Sequence, residues 1–232
     1  MAINVDTVYK TVLLITNQQQ RGYITPDEFN KIGTQVQQGI FEKYMSDLNQ
    51  QLRIPENDTE YANRIKNLDE KISVFKRIST PTFSTDHFTT TSLSDFYRLG
   101  TVIYNDTTEA QMVDRNEWYQ IKKAPLLAPS EKYPVFLYED TKIKIYPSSI
   151  TSNVEVSYLK KPADINWAFT VGNLGQYIYD SGPASVDFEL HPSEQVDVIM
   201  GILLYSGIII QDPTIIQVAA EKIAQEDNNE KN

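Results

Sequence analysis

The stretch that most constrains the fold is Thr25 to Leu52, TPDEFNKIGTQVQQGIFEKYMSDLNQQL. Thr25 is a helix-capping residue, whose hydroxyl accepts from an otherwise unpaired backbone N–H. Pro26 stands where a missing N–H costs nothing, and Glu28, three residues after the cap, completes a capping box. Asp27 and Glu28 place negative charge at the positive end of the helix dipole. Phe29, Ile32, Val36, Ile40, Phe41, Tyr44 and Leu48 recur at steps of three and four, so they share one face. Ile24 before the cap and Phe29 beyond it are placed as a hydrophobic staple. These signals predict a long amphipathic helix.

Two further helices flank it in the sequence. Val5, Val8, Val12 and Ile15 predict one from Val5 to about Gln20, ended by Arg21-Gly22; its β-branched content leaves a strand as the alternative. After Arg53-Ile-Pro-Glu-Asn57, the residues Tyr61, Ile65, Leu68, Ile72 and Phe75 follow a 4-3-4-3 step that predicts a helix from Thr59 to Ser79. This seam is expected to pack on the long helix as a hairpin, with contacts to a neighbouring copy as the sharper reading. Asn49, Gln50, Gln51 and the glutamines from Gln35 to Gln38 are read as a solvated or interface face.

The character changes at Thr80-Pro81. Thr82 to Thr91 reads as extended or loop, and Phe96 to Tyr104 as a strand. Asp114 and Glu117 form a second capping box, opening a short helix to about Lys123 that Pro125 and Pro129 terminate. Pro134 to Tyr138 and Thr141 to Tyr146 read as a hairpin with Glu139-Asp140 in its turn; Ile143 and Ile145 alternate with Lys142 and Lys144. Asn153 to Lys160 is a third strand, and the three are expected to form an antiparallel meander. Asp164 to Ser185, with Trp167, Phe169, Tyr177 and Tyr179, reads as a long ordered loop with room for a hairpin, clamped by its Gly-flanked aromatics, with contact to a partner as the alternative. Val186 to Leu190 reads as a last strand. A helix follows His191-Pro192, with Val196, Ile199, Met200, Leu203, Leu204, Gly207 and Ile208 as its buried surface, then a final helix from Asp212-Pro213. The polar tail after Gln225 is expected to fray.

Little in the sequence points to chemistry. The chain has no cysteine, which excludes disulfides, thiolate nucleophiles and cysteine-ligated metals. His87 and His191 are the two histidines, and neither sits in a ligand spacing; His191 is read as structural, His87 as exposed or packed in a loop. No Gly-x-Ser-x-Gly elbow, dinucleotide fingerprint or P-loop occurs. Glu139-Asp140 is read as a turn rather than a glycosidase pair, and Asp6, Asp58 and Asp227 lack calcium-loop spacing. Catalytic, cofactor and metal residues are therefore all read as none, and the chain as a non-enzyme. The pairs Lys122-Lys123 and Lys160-Lys161 are read as solvated. With 21 basic and 31 acidic side chains the net charge is −10, the opposite of a DNA-gripping module. The first residues lack a secretory leader's basic start and apolar middle, and Ile199 to Ile210 is short for a membrane span; a soluble product with no membrane partner is expected.

Two segments carry a resemblance. RGYITPDEFNKIGTQVQQGIFEKYMSDLNQQLRIPENDTEYANRIKNLDEKISVF (Arg21 to Phe75) is similar to the start of virion structural proteins of crAss-like and related tailed bacteriophages of gut Bacteroidales. Tyr133 to Lys161, with the Pro-Ser-Glu helix entry after Leu190, resembles more loosely the head-to-tail adaptor and ring proteins of short-tailed phages. The resemblance implies a protein of the portal vertex in the virion, assembled in the host cytoplasm. Such proteins form homo-oligomeric rings of about twelve copies beneath the portal protein. They dock adjacent tail or ring proteins and extend a channel along which non-specific encapsidated DNA slides. A tube, collar or fibre-anchoring tail component is the alternative, and a wall hydrolase the third reading. The expected fold is α+β: an N-terminal long-helix hairpin or bundle over 1–80, a small antiparallel β-sheet or sandwich with a short helix over 81–190, C-terminal helices over 191–226, and a flexible tail over 227–232.

Overall fold

The computed structural model describes residues 2–18, 23–51, 59–210, 217–218, 220–222 and 224–225. In chain order the elements are α1 (Val5–Gln18), α2 (Pro26–Gln51), α3 (Thr59–Ser73), β1 (Lys76–Ser79), β2 (Thr82–Ser84), β3 (His87–Thr89), β4 (Phe96–Tyr104), β5 (Thr108–Met112), α4 (Arg115–Lys123), β6 (Val135–Glu139), β7 (Lys142–Tyr146), β8 (Val154–Lys160), β9 (Phe169–Val171), β10 (Tyr177–Tyr179) and α5 (Gln195–Ile210). The chain divides into two units. Met1–Val74 with Pro162–Asn232 make a helical unit, and Phe75–Lys161 make a sheet unit.

The helical unit is assembled from both ends of the chain. The Thr25 cap forms as its residues predict: the Thr25 N–H donates to Glu28 at 2.9 Å and the Glu28 N–H donates to the Thr25 hydroxyl at 3.4 Å. The Thr25 N–H, and then the Thr25 hydroxyl donating at 2.8 Å, hold the Glu28 carboxyl below its ordinary range. Ile24 and Phe29 are buried beside the cap. The apolar stripe of α2 is covered chiefly by α5, which also packs on α1, while α3 lies along α2. Gly201 lets α5 approach closely, since a Cβ there would meet Val36 at 2.8 Å. The buried stripe of α5 keeps Leu203 and Gly207 of the expected face, adds Val198, Ile202 and Ser206, and leaves Val196 exposed. Neither Asp212–Ile216 nor the tail from 226 lies within the described residues, whereas the described positions of 217–225 are helical. Val186 to Leu190 forms no regular strand; it makes isolated bridges, Asn166 to Val186 and Ile3 to Phe188.

In the sheet unit eight strands form one sheet, in the order β1-β8-β4-β5-β6-β7-β3-β2. Its two edges, β1 and β2, are joined by Thr80 and Pro81 alone. Three virtual bonds span at most about 11 Å, whereas the edges of a flat eight-stranded sheet lie roughly 34 Å apart. The sheet must therefore curl back on itself. Phe88, Val102, Phe136, Ile143, Ile145, Val154, Val156 and Tyr158 fill its interior. Strand β6 is apolar on both faces for a visible reason. Phe136 points inward, while Val135 and Leu137 lie outside with Val113 beneath Trp118 and Ile121 of α4. Trp118 stacks on Tyr146 at 3.7 Å, and the Asp114 N–H donates to Glu117 in the expected capping box.

These observations overturn the expected α+β class. The protein is a mixed α/β protein dominated by one large curled eight-stranded sheet, and the described residues contain no long N-terminal helix bundle. The helical layer needs α5 from the far end of the chain. The predicted helix over Thr59–Ser79 stops at Ser73, and Lys76–Ser79 pairs with β8 as an edge strand. The meander also fails: β7 pairs with β3, and β8 with β1 and β4. Alternation identifies which face of a strand is buried, and says nothing about which strand lies beside it.

Candidate interaction surfaces

In the helical unit, α2 grips the segment that follows the sheet. Asn30, Thr34 and Gln37, at steps of four and three, face it together. The Asn30 side-chain oxygen accepts from the Trp167 N–H at 2.7 Å, and Thr34 accepts from the Ile165 N–H at 3.2 Å. Gln37 donates to the Ala163 carbonyl at 2.7 Å and accepts from the Glu189 N–H at 2.9 Å. Gly33 leaves room for Ile165, whose Cδ1 would lie 2.4 Å from an added Cβ. Gln37, expected on a solvated face, is thus fully buried and structural. The signal was present as a polar 30-34-37 row beside the apolar stripe.

This grip roots an aromatic cluster. Trp167 donates from Nε1 to Asp6 at 3.1 Å and packs on Tyr9 at 4.4 Å, Tyr179 at 5.5 Å and Phe169 at 6.0 Å. Burial, then the neighbouring Tyr23 hydroxyl, pushes the Tyr9 phenol well above its ordinary value; its hydroxyl donates to the Ile24 carbonyl. From this base the β9–β10 hairpin extends, turning at Gly175 with φ +79°. Its far end is apolar and open: Val171, Tyr177 and Ile178 are exposed, and Leu174 is 92% exposed. Between Phe169 and Tyr179 there is no charged residue.

The sheet unit carries an apolar ridge and a slit of mixed lining. The Pro125–Leu127 turn after α4 holds Leu126 entirely in solvent, with Leu127 and Tyr119 also exposed. A depression of about 340 Å³ lies where β4 and β5 part, lined by Gly100, Thr101, Glu109, Ala110, Gln111, Met112 and Phe136, so one carboxylate shares it with the apolar side chains.

Residues singled out for chemistry do not converge. His87 bonds to Asp86 at 2.8 Å, and Lys144 reaches the other Asp86 oxygen at 2.8 Å. The His87 hydrogen bond, then Lys144, hold the exposed Asp86 carboxyl at about 2. His191 accepts from the Ser193 N–H and lies 2.8 Å from its hydroxyl, but Ser193 also donates to Glu194, which pairs with Lys71 at 2.7 Å. In a nucleophilic triad the histidine stands between hydroxyl and acid; here the hydroxyl stands between the other two, as a helix-entry cap. Glu139 ends β6 and pairs bidentately with Arg115, and the turn itself is Asp140-Thr141, both with positive φ. Lys122 and Lys123 are exposed on α4, whereas Lys160, expected in solvent, is buried. Among the described residues no group of three or more His, Asp or Glu could hold a metal ion, and no helix is long and apolar enough to cross a membrane.

Charge divides sharply between the units. The helical unit holds 10 of the 21 basic and 21 of the 31 acidic side chains, a balance of −11; the sheet unit holds 11 and 10, a balance of +1. No protein-family model matches the chain, and no curated protein matches it.

Proposed function

We propose that this chain is a structural subunit of a tailed-phage particle, a head-to-tail connector that closes into a ring of about twelve copies beneath the portal protein. The observation that carries this reading is the possession of unlike surfaces on unlike units: a charge-free hairpin on a unit of −11, and an apolar ridge and a slit holding one carboxylate on a unit of +1. A closing ring is heterologous, so each copy needs two different surfaces that complement one another. Exposed apolar patches of this sort mark protein contact. The resemblance over Arg21–Phe75 and Tyr133–Lys161 supports a place at the portal vertex of such a particle.

The action is geometric. Lateral contacts set ring curvature, neighbouring rings and the portal bind its rims, and the acidic balance leaves duplex phosphates no net attraction to linger over. The test is the mass of the full chain in solution, alone and mixed with portal protein. A discrete assembly of about twelve copies is expected; a chain that stays monomeric in both conditions overturns the reading.

A further inference from the structure

Met112 faces the wrong solvent. It is in register with Phe136 across the parallel β5–β6 pair, so both side chains leave the sheet on the same side. Phe136 and Ala110, two residues before Met112, are buried in the interior of the curled sheet. Met112 is nevertheless 55% exposed. The cause is a slit in the wall. Strand β5 pairs with β4 only from Val102 to Tyr104, then changes partner and pairs with β6 at Gln111 and Met112. From Phe96 to Thr101, β4 follows β8 through two register shifts, and no β5 residue is in register with it. Gly100 presses on β8 there, where a Cβ would sit 2.9 Å from the Ser157 carbonyl oxygen. An open strand edge beside an exposed interior side chain accepts an added strand: the backbone extends the ladder and a side chain fills the gap.

We propose that the slit takes the β9–β10 hairpin of a second copy, with Leu174 brought against Met112. Three observations favour this occupant. The hairpin is already in strand conformation and rooted by Trp167, so little ordering is lost on docking. It brings no charge of its own to a slit whose lining already holds the Glu109 carboxylate, so docking buries no second charge there. The charge partition also selects between arrangements. Two helical units at −11 repel one another, whereas a helical unit meets no such field at a sheet unit of +1. The inference deepens the ring reading and rests on it, because hairpin-into-slit is heterologous and propagates around a ring.

The absence of cysteine makes the test clean. Leu174→Cys and Met112→Cys are made separately in the full chain, assembled as a mixture and mildly oxidised. Disulfide-linked dimer in the mixture, and none in either variant alone, is expected. In the same assemblies Met112→Cys should lose most of its reactivity toward a maleimide, compared with the unassembled chain. Rings that form with no link and with Met112→Cys still reactive overturn the docking and leave the ring reading standing. Rings that form with no link but with Met112→Cys protected show that another segment or protein fills the slit, and also overturn it. A chain monomeric alone and with portal protein removes the ring reading and the docking with it.

Discussion

Thr141 occupies a conformation its side chain resists. With Asp140 it forms the two-residue turn between β6 and β7, and both have positive φ, 44° and 62°. A β-branched residue there costs about 1–2 kcal/mol relative to glycine. Thr141→Gly keeps the backbone carbonyl that accepts from Thr90 and should raise stability by about 1 kcal/mol, read as a higher urea midpoint. Gln37 is the opposite case. Gln37→Leu conserves bulk but strands the Ala163 carbonyl and the Glu189 N–H, and should cost about 2 kcal/mol or more, visible in the same measurement. Asp86 supplies a pH dependence. Its folded value, about 2, lies below that of an unfolded aspartate. Its contribution is therefore present above about pH 4 and is lost as pH falls toward 2. Being exposed, the pair is screened, so the effect is small and shrinks in salt. Asp86→Asn should flatten the fall in urea midpoint between those pH values at low salt.

At the scale of elements, residues near the chain ends of helices spoke clearly. Thr25 with Glu28, and Asp114 with Glu117, start helices where their side chains say they should, because a cap is decided by groups three residues apart. The Phe96–Tyr104 strand was legible through its β-branched and aromatic content. Lys76–Ser79 was not, because KRIS continues a helical seam through Phe75 and becomes strand only by pairing with Val156 to Leu159 on β8. Helix α2 retains one local misfit. Gly39 lies mid-helix with open space where a Cβ would go, so Gly39→Ala should stabilise the chain by about 0.5–1 kcal/mol, measurable by thermal unfolding.

At the scale of the whole molecule, stability and assembly separate. Leu174 contributes almost nothing to its own copy's core, being 92% exposed. Leu174→Lys should leave the monomer's unfolding midpoint unchanged and reduce assembly, scored as the fraction of chain sedimenting as rings. A variant that assembles normally would place the lateral contact elsewhere, with the Leu126–Leu127 ridge the next surface to alter.

The sequence by itself determined the local matters: where α2 and α4 begin, which faces of β7 and β8 are buried, the absence of thiol chemistry, and an excess of acid over base. Each depends on residues within one or two turns of one another, or on a count. Only the tertiary structure decided that β1 and β2 meet round a curled sheet, that α5 covers α2, that the acid excess lies in one unit, and that Met112 is left uncovered. Those depend on contacts between residues far apart in the chain, where periodicity records that a surface is buried but carries no record of what buries it.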